Sequence, residues 1–162
     1  MTEIIRTILC VVLFVILLWF TYTIVNIYVT IMRCRKQDHS LTFCFNTAGK
    51  IVYILLTILF VVCYVGGVGV FIYGLIKNDP IFYQNGLNVA TLLSVIYGYF
   101  LSTIVLIGRK NMMVGRMMID YRKMKKANFN YNHKMSFVYA QKDYSFSTRF
   151  VDTTQLKKAI TR

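Results

Sequence analysis

Three long apolar runs without a charged residue constrain the fold of this chain more than any other feature. They extend over residues 7–32, 51–76 and 87–108, and none of them contains Lys, Arg, Asp or Glu. Each run is longer than the roughly 20 residues with which a helix crosses a bilayer core of about 30 Å. The sequence therefore predicts three transmembrane helices.

The runs divide the chain into two predicted domains. Residues 1–108 form a three-helix transmembrane domain, and residues 109–162 form a small basic domain in water. The first run is too long for the apolar core of a cleaved signal peptide, so we expect it to stay in the protein. The predicted fold class is an α-helical membrane protein with a small cytosolic β-meander and a C-terminal helix.

The net charge of +13 is distributed unevenly, and this predicts an orientation in the cell membrane. Residues 33–50 carry four basic side chains against one aspartate, and the tail after Gly108 carries thirteen against three aspartates. Residues 1–6 and 77–86 each balance to zero. Because short basic loops stay in the cytoplasm, we expect the N-terminus outside and the first loop and the tail inside.

Small residues in the second and third runs predict close contacts between helices. In lipid, such residues at a spacing of four allow two helix backbones to approach each other. The predicted helix-packing residues are Gly66, Gly67, Gly69, Ala90, Ser94, Gly98 and Ser102. Packing within one chain is favoured, and a homo-oligomer or another membrane protein as partner stays open. The runs hold no acidic or basic side chain, which argues against an ion channel or a transporter.

The tail alternates apolar and polar residues with the period of strands. Met113 and Val114, Met117–Tyr121, Met135–Ala140 and Tyr144–Phe150 belong to a predicted meander of about five short strands. Asp152 or Thr153 then caps a last helix, which places Leu156, Ala159 and Ile160 on one side and Lys157 and Lys158 on the other.

The order of these elements resembles part of the PH-like domain of small bacterial membrane proteins of largely unknown function. A glycine turn is followed by an Ile-Asp-Tyr strand, a basic turn, an aromatic hairpin and an Asp-capped helix. The residues that carry the resemblance are Gly115, Ile119, Tyr121, Met124, Phe129, Phe137, Phe146 and the helix from Asp152. The resemblance covers the last third of the chain and implies a partial PH-like domain there.

Residues suited to catalysis or to metal binding are scarce. The sequence has no glycine-rich phosphate loop, no HExxH motif and no paired carboxylates, and its six acidic residues are scattered. Cys34, His39 and Cys44 share the first cytosolic loop, but three ligands at this spacing do not match a zinc pattern. We expect no enzymatic activity, no metal and no cofactor.

Basic residues are concentrated directly after the third run. They are Arg109, Lys110, Arg116, Arg122, Lys123, Lys125 and Lys126. Clusters of four to eight such residues beside a span suit anionic lipid, at about 1 kcal/mol each near the surface. The alternative is that these charges only fix the orientation of the tail. The aromatic residues of the tail suit a hairpin core better than base stacking, which argues against a nucleic-acid partner.

Three classes of function follow from these observations. The favoured one is a non-enzymatic, membrane-anchored interaction or regulatory module that binds membrane lipids or a partner through its basic tail. The second is a membrane immunity or exclusion protein that protects its host from a membrane-acting toxin. The third is a defence effector that senses a nucleotide and disrupts the membrane by helix assembly.

Overall fold

A computed structural model describes residues 2–130 and 133–161, without the side chains of Thr2, Glu3 and Arg6. The helices are α1 (Thr2–Gln37), α2 (Thr47–Lys77), α3 (Pro80–Ser102) and α4 (Thr153–Ile160). The strands are β1 (Thr42–Phe43), β2 (Val105–Ile107), β3 (Asn111–Val114), β4 (Met117–Asp120), β5 (Met124–Asn130), β6 (Lys134–Tyr139) and β7 (Lys142–Ser147).

The first two apolar runs lie within helices, as predicted. Helices α1 and α2 are long and apolar enough to cross a membrane, and only 11% of the most apolar window of each is buried. These helices are compatible with a membrane location. Their apolar surface is continuous because almost every residue of each run is apolar, so the helices lack a polar face.

The third run differs from its predicted boundaries at both ends. Helix α3 begins at Pro80, where the missing N–H costs no hydrogen bond in a first turn, and Asp79 Oδ1 accepts a hydrogen bond from Ile81 N at 2.9 Å. The helix ends at Ser102, and the apolar residues Val105–Ile107 form β2 instead. A short apolar segment of this kind fits a buried strand as well as a helix.

The described chain forms two compact units, Met1–Asn26 with Ile54–Tyr99, and Ile27–Tyr53 with Phe100–Arg162. Their limits fall at different residues from the predicted boundary at Gly108. The first unit contains most of α1, α2 and α3. Its buried centre is formed by Leu17, Leu87 and Ala90, with Tyr64 and Phe71 packed against them.

Close backbone contact joins α2 and α3 within the first unit. A Cβ added at Gly67 would lie 2.9 Å from the carbonyl oxygen of Gly86 and 3.1 Å from Ala90 Cβ. A Cβ added at Gly86 would lie 2.5 Å from the carbonyl oxygen of Gly67. Neither position has room for a side chain, so glycine at both sets the distance between the two helices.

The second unit contains two antiparallel sheets, in the orders β1-β2-β3-β4 and β5-β6-β7. Among the described residues, five strands follow Gly108, as predicted, and β1 and β2 precede it. The five do not form one meander, because β3 and β4 belong to the first sheet and β5, β6 and β7 form the second. Strand β1 comes from the loop after α1, and its Thr42 and Phe43 pair with Ile107 and Leu106 of β2. The first sheet therefore joins two segments that α2 and α3 separate in the sequence.

Both sheets and α4 contribute to one apolar core. Its buried residues are Cys44, Val105, Met112, Ile119, Met135, Phe137, Val151 and Leu156. Asp152 caps α4, as predicted, since its Oδ1 accepts hydrogen bonds from Thr154 N at 3.0 Å and Gln155 N at 3.2 Å. Asp152 N also donates to Cys44 O at 3.3 Å, which holds the start of α4 beside the segment that follows β1.

Candidate anion-binding surface

The seven basic residues predicted to bind lipid or a partner all belong to the second unit, and all are exposed. They lie on four local structures. Arg109 and Lys110 are in the β2–β3 turn, Arg116 is in the β3–β4 turn, Arg122 and Lys123 are in a 3₁₀ helix before β5, and Lys125 and Lys126 are on β5.

Two of these structures are brought together by a backbone hydrogen bond. Tyr121 N donates to Lys110 O at 3.2 Å, so the 3₁₀ helix lies beside the β2–β3 turn. Asp120 caps this 3₁₀ helix by accepting a hydrogen bond from Arg122 N at 3.0 Å. We call the surface formed by Arg109, Lys110, Arg122, Lys123 and Lys125 the basic end of the unit.

Arg116 lies apart from the basic end. It belongs to the turn at the opposite end of β3, where Gly115 N donates to Ile104 O at 2.9 Å. Gly115 has a φ of +59°, and a Cβ there would lie 2.4 Å from Ser102 O, so this turn requires glycine. The predicted seven residues therefore do not form a single patch.

Three cations of the basic end line a groove of about 510 Å³. The groove is lined by Arg122, Lys123 and Lys125 together with Val138–Gln141. Ala140 and Gln141 both have left-handed backbone, with φ of 49° and 64°, and they connect β6 to β7 in a two-residue turn. Both turn residues are exposed, as are the three cations.

The end of α1 adds further positive charge to the second unit. Arg33, Arg35 and Lys36 are exposed, and the guanidinium carbon of Arg35 lies 5.6 Å from the centre of the Phe43 ring. Ser40 Oγ, just after the helix, accepts a hydrogen bond from Arg109 N at 2.9 Å. The last turn of α1 and the basic end therefore adjoin each other within the second unit.

A second groove of the second unit has a volume of about 420 Å³. It is lined by His39, Ser40, Thr42, Ile107, Gly108, Arg109, Gln155, Lys158 and Ala159. Sequence reasoning missed His39, Gln155 and Lys158 as members of a site. The i, i+3 spacing of Gln155 and Lys158 was a local signal, but nothing local connects them to His39.

Two buried groups of the second unit have strongly raised pKa values. Burial raises the pKa of the Cys44 thiol to about 11 and the pKa of the Tyr121 hydroxyl to about 12. Both groups are therefore protonated at neutral pH. Cys44 is completely buried, and its Sγ donates to Asp152 O at 3.4 Å, so it packs in the core of the unit.

The predicted helix-packing residues occupy three different environments. Gly67, Ala90, Ser94 and Gly98 are buried, and the nearest atom to a Cβ added at Gly98 would be Phe20 Cδ1 of α1, at 3.3 Å. Gly66 and Gly69 are exposed, with nothing within 4 Å of an added Cβ. Ser102 is also exposed, but it belongs to the second unit.

Comparison with known proteins identifies no family. No protein-family model matches the chain, and neither a curated protein nor a solved structure matches it. The resemblance to PH-like domains therefore remains a prediction from the sequence.

Proposed function

We propose that this chain is an integral membrane protein with three spans. Its second unit lies on one side of the membrane and docks on the anionic lipid headgroups of that side. It has no catalytic role in this proposal and acts as a membrane-anchored interaction module. The observation that carries the proposal is the position of the basic end beside the last turn of α1.

The pairing of β1 with β2 supports three crossings. Residues of one sheet lie on one side of a bilayer, so the loop after α1 and the segment after α3 share a side. Helix α2 leaves from that side at Thr47, and the chain returns to it at the end of α3. If α2 crosses the membrane, α3 has to cross it in the opposite direction.

The exposed apolar surface supports lipid as the solvent of α1 and α2. A helix that is apolar all around and is not covered by its own fold needs an apolar environment. The excess of basic residues in the first loop and in the tail favours the cytosol as the location of the second unit. This orientation also requires the N-terminus to lie outside.

The end of α1 supports headgroup binding by the basic end. Tyr28, Val29 and Met32 are exposed apolar residues, and Arg33 follows them directly. At 1.5 Å per residue, the five residues from Met32 to Gln37, where α1 ends, span only about 8 Å. Arg109 N donates to Ser40 Oγ, just beyond this segment, so the basic end is close in the fold to the last large exposed apolar residue of α1.

Charge removal in liposomes tests this proposal. Arg122, Lys123 and Lys125 are replaced together by Gln, and Lys134, Arg149 and Lys157 are replaced together as a control with the same change in charge. All six side chains are exposed, so both variants should fold. The measured quantity is the rate at which a protease cleaves the second unit in vesicles with and without phosphatidylserine.

Docking predicts that phosphatidylserine protects the wild type and the control, and protects the triple variant less. This difference should fade as salt rises, because exposed charges are screened over about 10 Å at 0.1 M. Equal protection of all three proteins at every salt concentration would show that the charges of the basic end do not bind headgroups.

A further inference from the structure

The second groove of the second unit combines residues that are remote in sequence. Its walls come from the loop after α1, from the β2–β3 turn and from one face of α4. Each of these three segments supplies one lining residue whose side chain has a nitrogen that can donate a hydrogen bond. They are His39, Arg109 and Lys158. Such convergence from three elements depends on the complete fold of the unit.

Hydrogen bonds hold the floor of this groove in place. Ser40 Oγ donates to Asp38 Oδ1 at 2.6 Å and accepts from Arg109 N at 2.9 Å. A Cβ added at Gly108 would lie 3.0 Å from Ser40 Oγ, so a glycine allows the turn to approach the loop this closely. The loop after α1 therefore lies directly against the β2–β3 turn at Gly108 and Arg109.

The groove is positively charged. Arg109 and Lys158 are cations, and among the described residues that line it there is no acidic side chain. Asp38 adjoins the groove at Gly108, where its Oδ2 would lie 3.1 Å from an added Cβ, and its Oδ1 accepts hydrogen bonds from the N and the Oγ of Ser40. The charge of Asp38 offsets one of the two cations, which leaves the site with a net positive charge. Gln155 lies three residues before Lys158 on the same helix face and adds an amide donor.

We propose that this groove binds a phosphate monoester group. Such a group carries a charge of about −1.5 to −2 at neutral pH and has three strong acceptor oxygens, which suits two cations with an imidazole and an amide around them. The volume of about 420 Å³ leaves room for the organic part of the ligand. The ester can belong to a soluble molecule or to a lipid such as phosphatidic acid.

This site goes beyond headgroup docking by the basic end and shares only Arg109 with it. Its test therefore uses variants that leave Arg122, Lys123 and Lys125 unchanged. Lys158→Gln removes a cation from the groove. Lys157→Gln is the matched control, because the Lys157 Nζ lies 5.1 Å from the centre of the Phe129 ring and does not line the groove.

The probes separate the two sources of the ester. Adenosine monophosphate is titrated into the full chain in neutral detergent at constant ionic strength, with adenosine as the probe that lacks the phosphate. In parallel, the full chain in nanodiscs with phosphatidic acid is compared with the chain in nanodiscs with phosphatidylserine, by thermal stability. His39→Gln, which keeps a hydrogen-bond donor, serves as a second variant in the groove.

We expect binding of adenosine monophosphate but not of adenosine, or specific stabilisation by phosphatidic acid. Lys158→Gln should weaken the binding of adenosine monophosphate at least about tenfold, the usual cost of a lost hydrogen bond to a charged group. If phosphatidic acid is the ligand, the same variant should lose most of the stabilisation by this lipid. Lys157→Gln should leave both effects unchanged. A site for phosphate monoesters is excluded if neither arm responds, or if the Lys157 and Lys158 variants behave alike.

Discussion

Thr42 of β1 and Ile107 of β2 are paired in one antiparallel sheet, although 65 positions and two helices separate them in the sequence. The Thr42 Oγ1 hydroxyl also donates to Ile107 O at 3.4 Å. This pairing makes the segments before α2 and after α3 part of the same folded unit. It therefore restricts the paths that α2 and α3 can take through a bilayer.

The first prediction concerns these paths. In a Cys34→Ser background, Lys77→Cys should react with a membrane-impermeant maleimide in intact cells, because Lys77 is exposed at the end of α2 remote from β1. Asn128→Cys, exposed on β5, should react only after the cells are permeabilised. Labelling of both positions in intact cells would contradict a membrane crossing by α2 and α3.

The second prediction compares two glycines of α2. Gly67→Ala should lower the melting temperature in detergent, because its Cβ would meet the Gly86 carbonyl oxygen at 2.9 Å, and overpacking costs about 1–3 kcal/mol. Gly69→Ala should leave it unchanged or raise it, because alanine favours helix by about 1 kcal/mol and no atom lies within 4 Å.

The same pair of variants reports on self-association. A larger destabilisation by Gly69→Ala than by Gly67→Ala would mean that the exposed face of α2 contacts another chain. The molecular mass in detergent, measured by light scattering, would show whether an oligomer then dissociates.

The third prediction concerns thiol reactivity. Cys34 and Cys44 were both predicted to lie in the first cytosolic loop, but only Cys34 retains exposed surface, since Cys44 is completely buried. Because the pKa of Cys44 is raised to about 11, its reactive thiolate is scarce at pH 8 as well. A thiol reagent should modify Cys34 in the folded chain and Cys44 only in denaturant, as mass spectrometry can show. Equal rates at both positions would contradict the buried position of Cys44.

The fourth prediction concerns the cap of α4. Asp152→Ala should destabilise the second unit by about 0.5–2 kcal/mol at pH 7, because the helix loses its N-cap. Hydrogen bonds from Thr154 and Gln155 hold the pKa of Asp152 below its ordinary value of 3.8. Because the folded-state pKa is the lower one, the ionised cap stabilises the fold above pH 3.8, and this contribution is lost as the pH falls through the folded-state value.

Chemical denaturation of wild type and variant at several pH values measures this effect. The difference in unfolding free energy should be constant near neutral pH and should shrink below pH 3.8. Asp152→Asn should lie close to the wild type at neutral pH, since asparagine is a comparable N-cap. A difference that grows on acidification would contradict the role of the carboxylate.

Helices α1 and α2 could be predicted from the sequence because their composition alone determines that they are helical. Runs as long and apolar as those of α1 and α2 have few alternatives, whereas Val105–Ile107 continue the apolar run that precedes them and yet form a strand. Strand β1 has two residues, too few for any periodicity to show. Its existence depends on the partner strand, which a local pattern cannot reveal.

The two grooves were predictable to different extents. Arg122, Lys123 and Lys125 are close in sequence, so their density was visible before the structure. His39, Arg109 and Lys158 meet because the sheet pairing and the docking of Leu156 into the core bring their segments together. Sequence separation hid this second set.

The place of β1 also determines when the second unit can fold during synthesis. Its residues leave the ribosome before both α2 and α3, and at about 5–20 residues per second its partner strand follows several seconds later. During this interval Phe43 and the thiol of Cys44 have no β2 to cover them. The second unit can therefore be completed only after α2 and α3 have been synthesised. In the proposed topology, we expect a failure of these two helices to insert into the membrane to disturb the folding of the second unit as well.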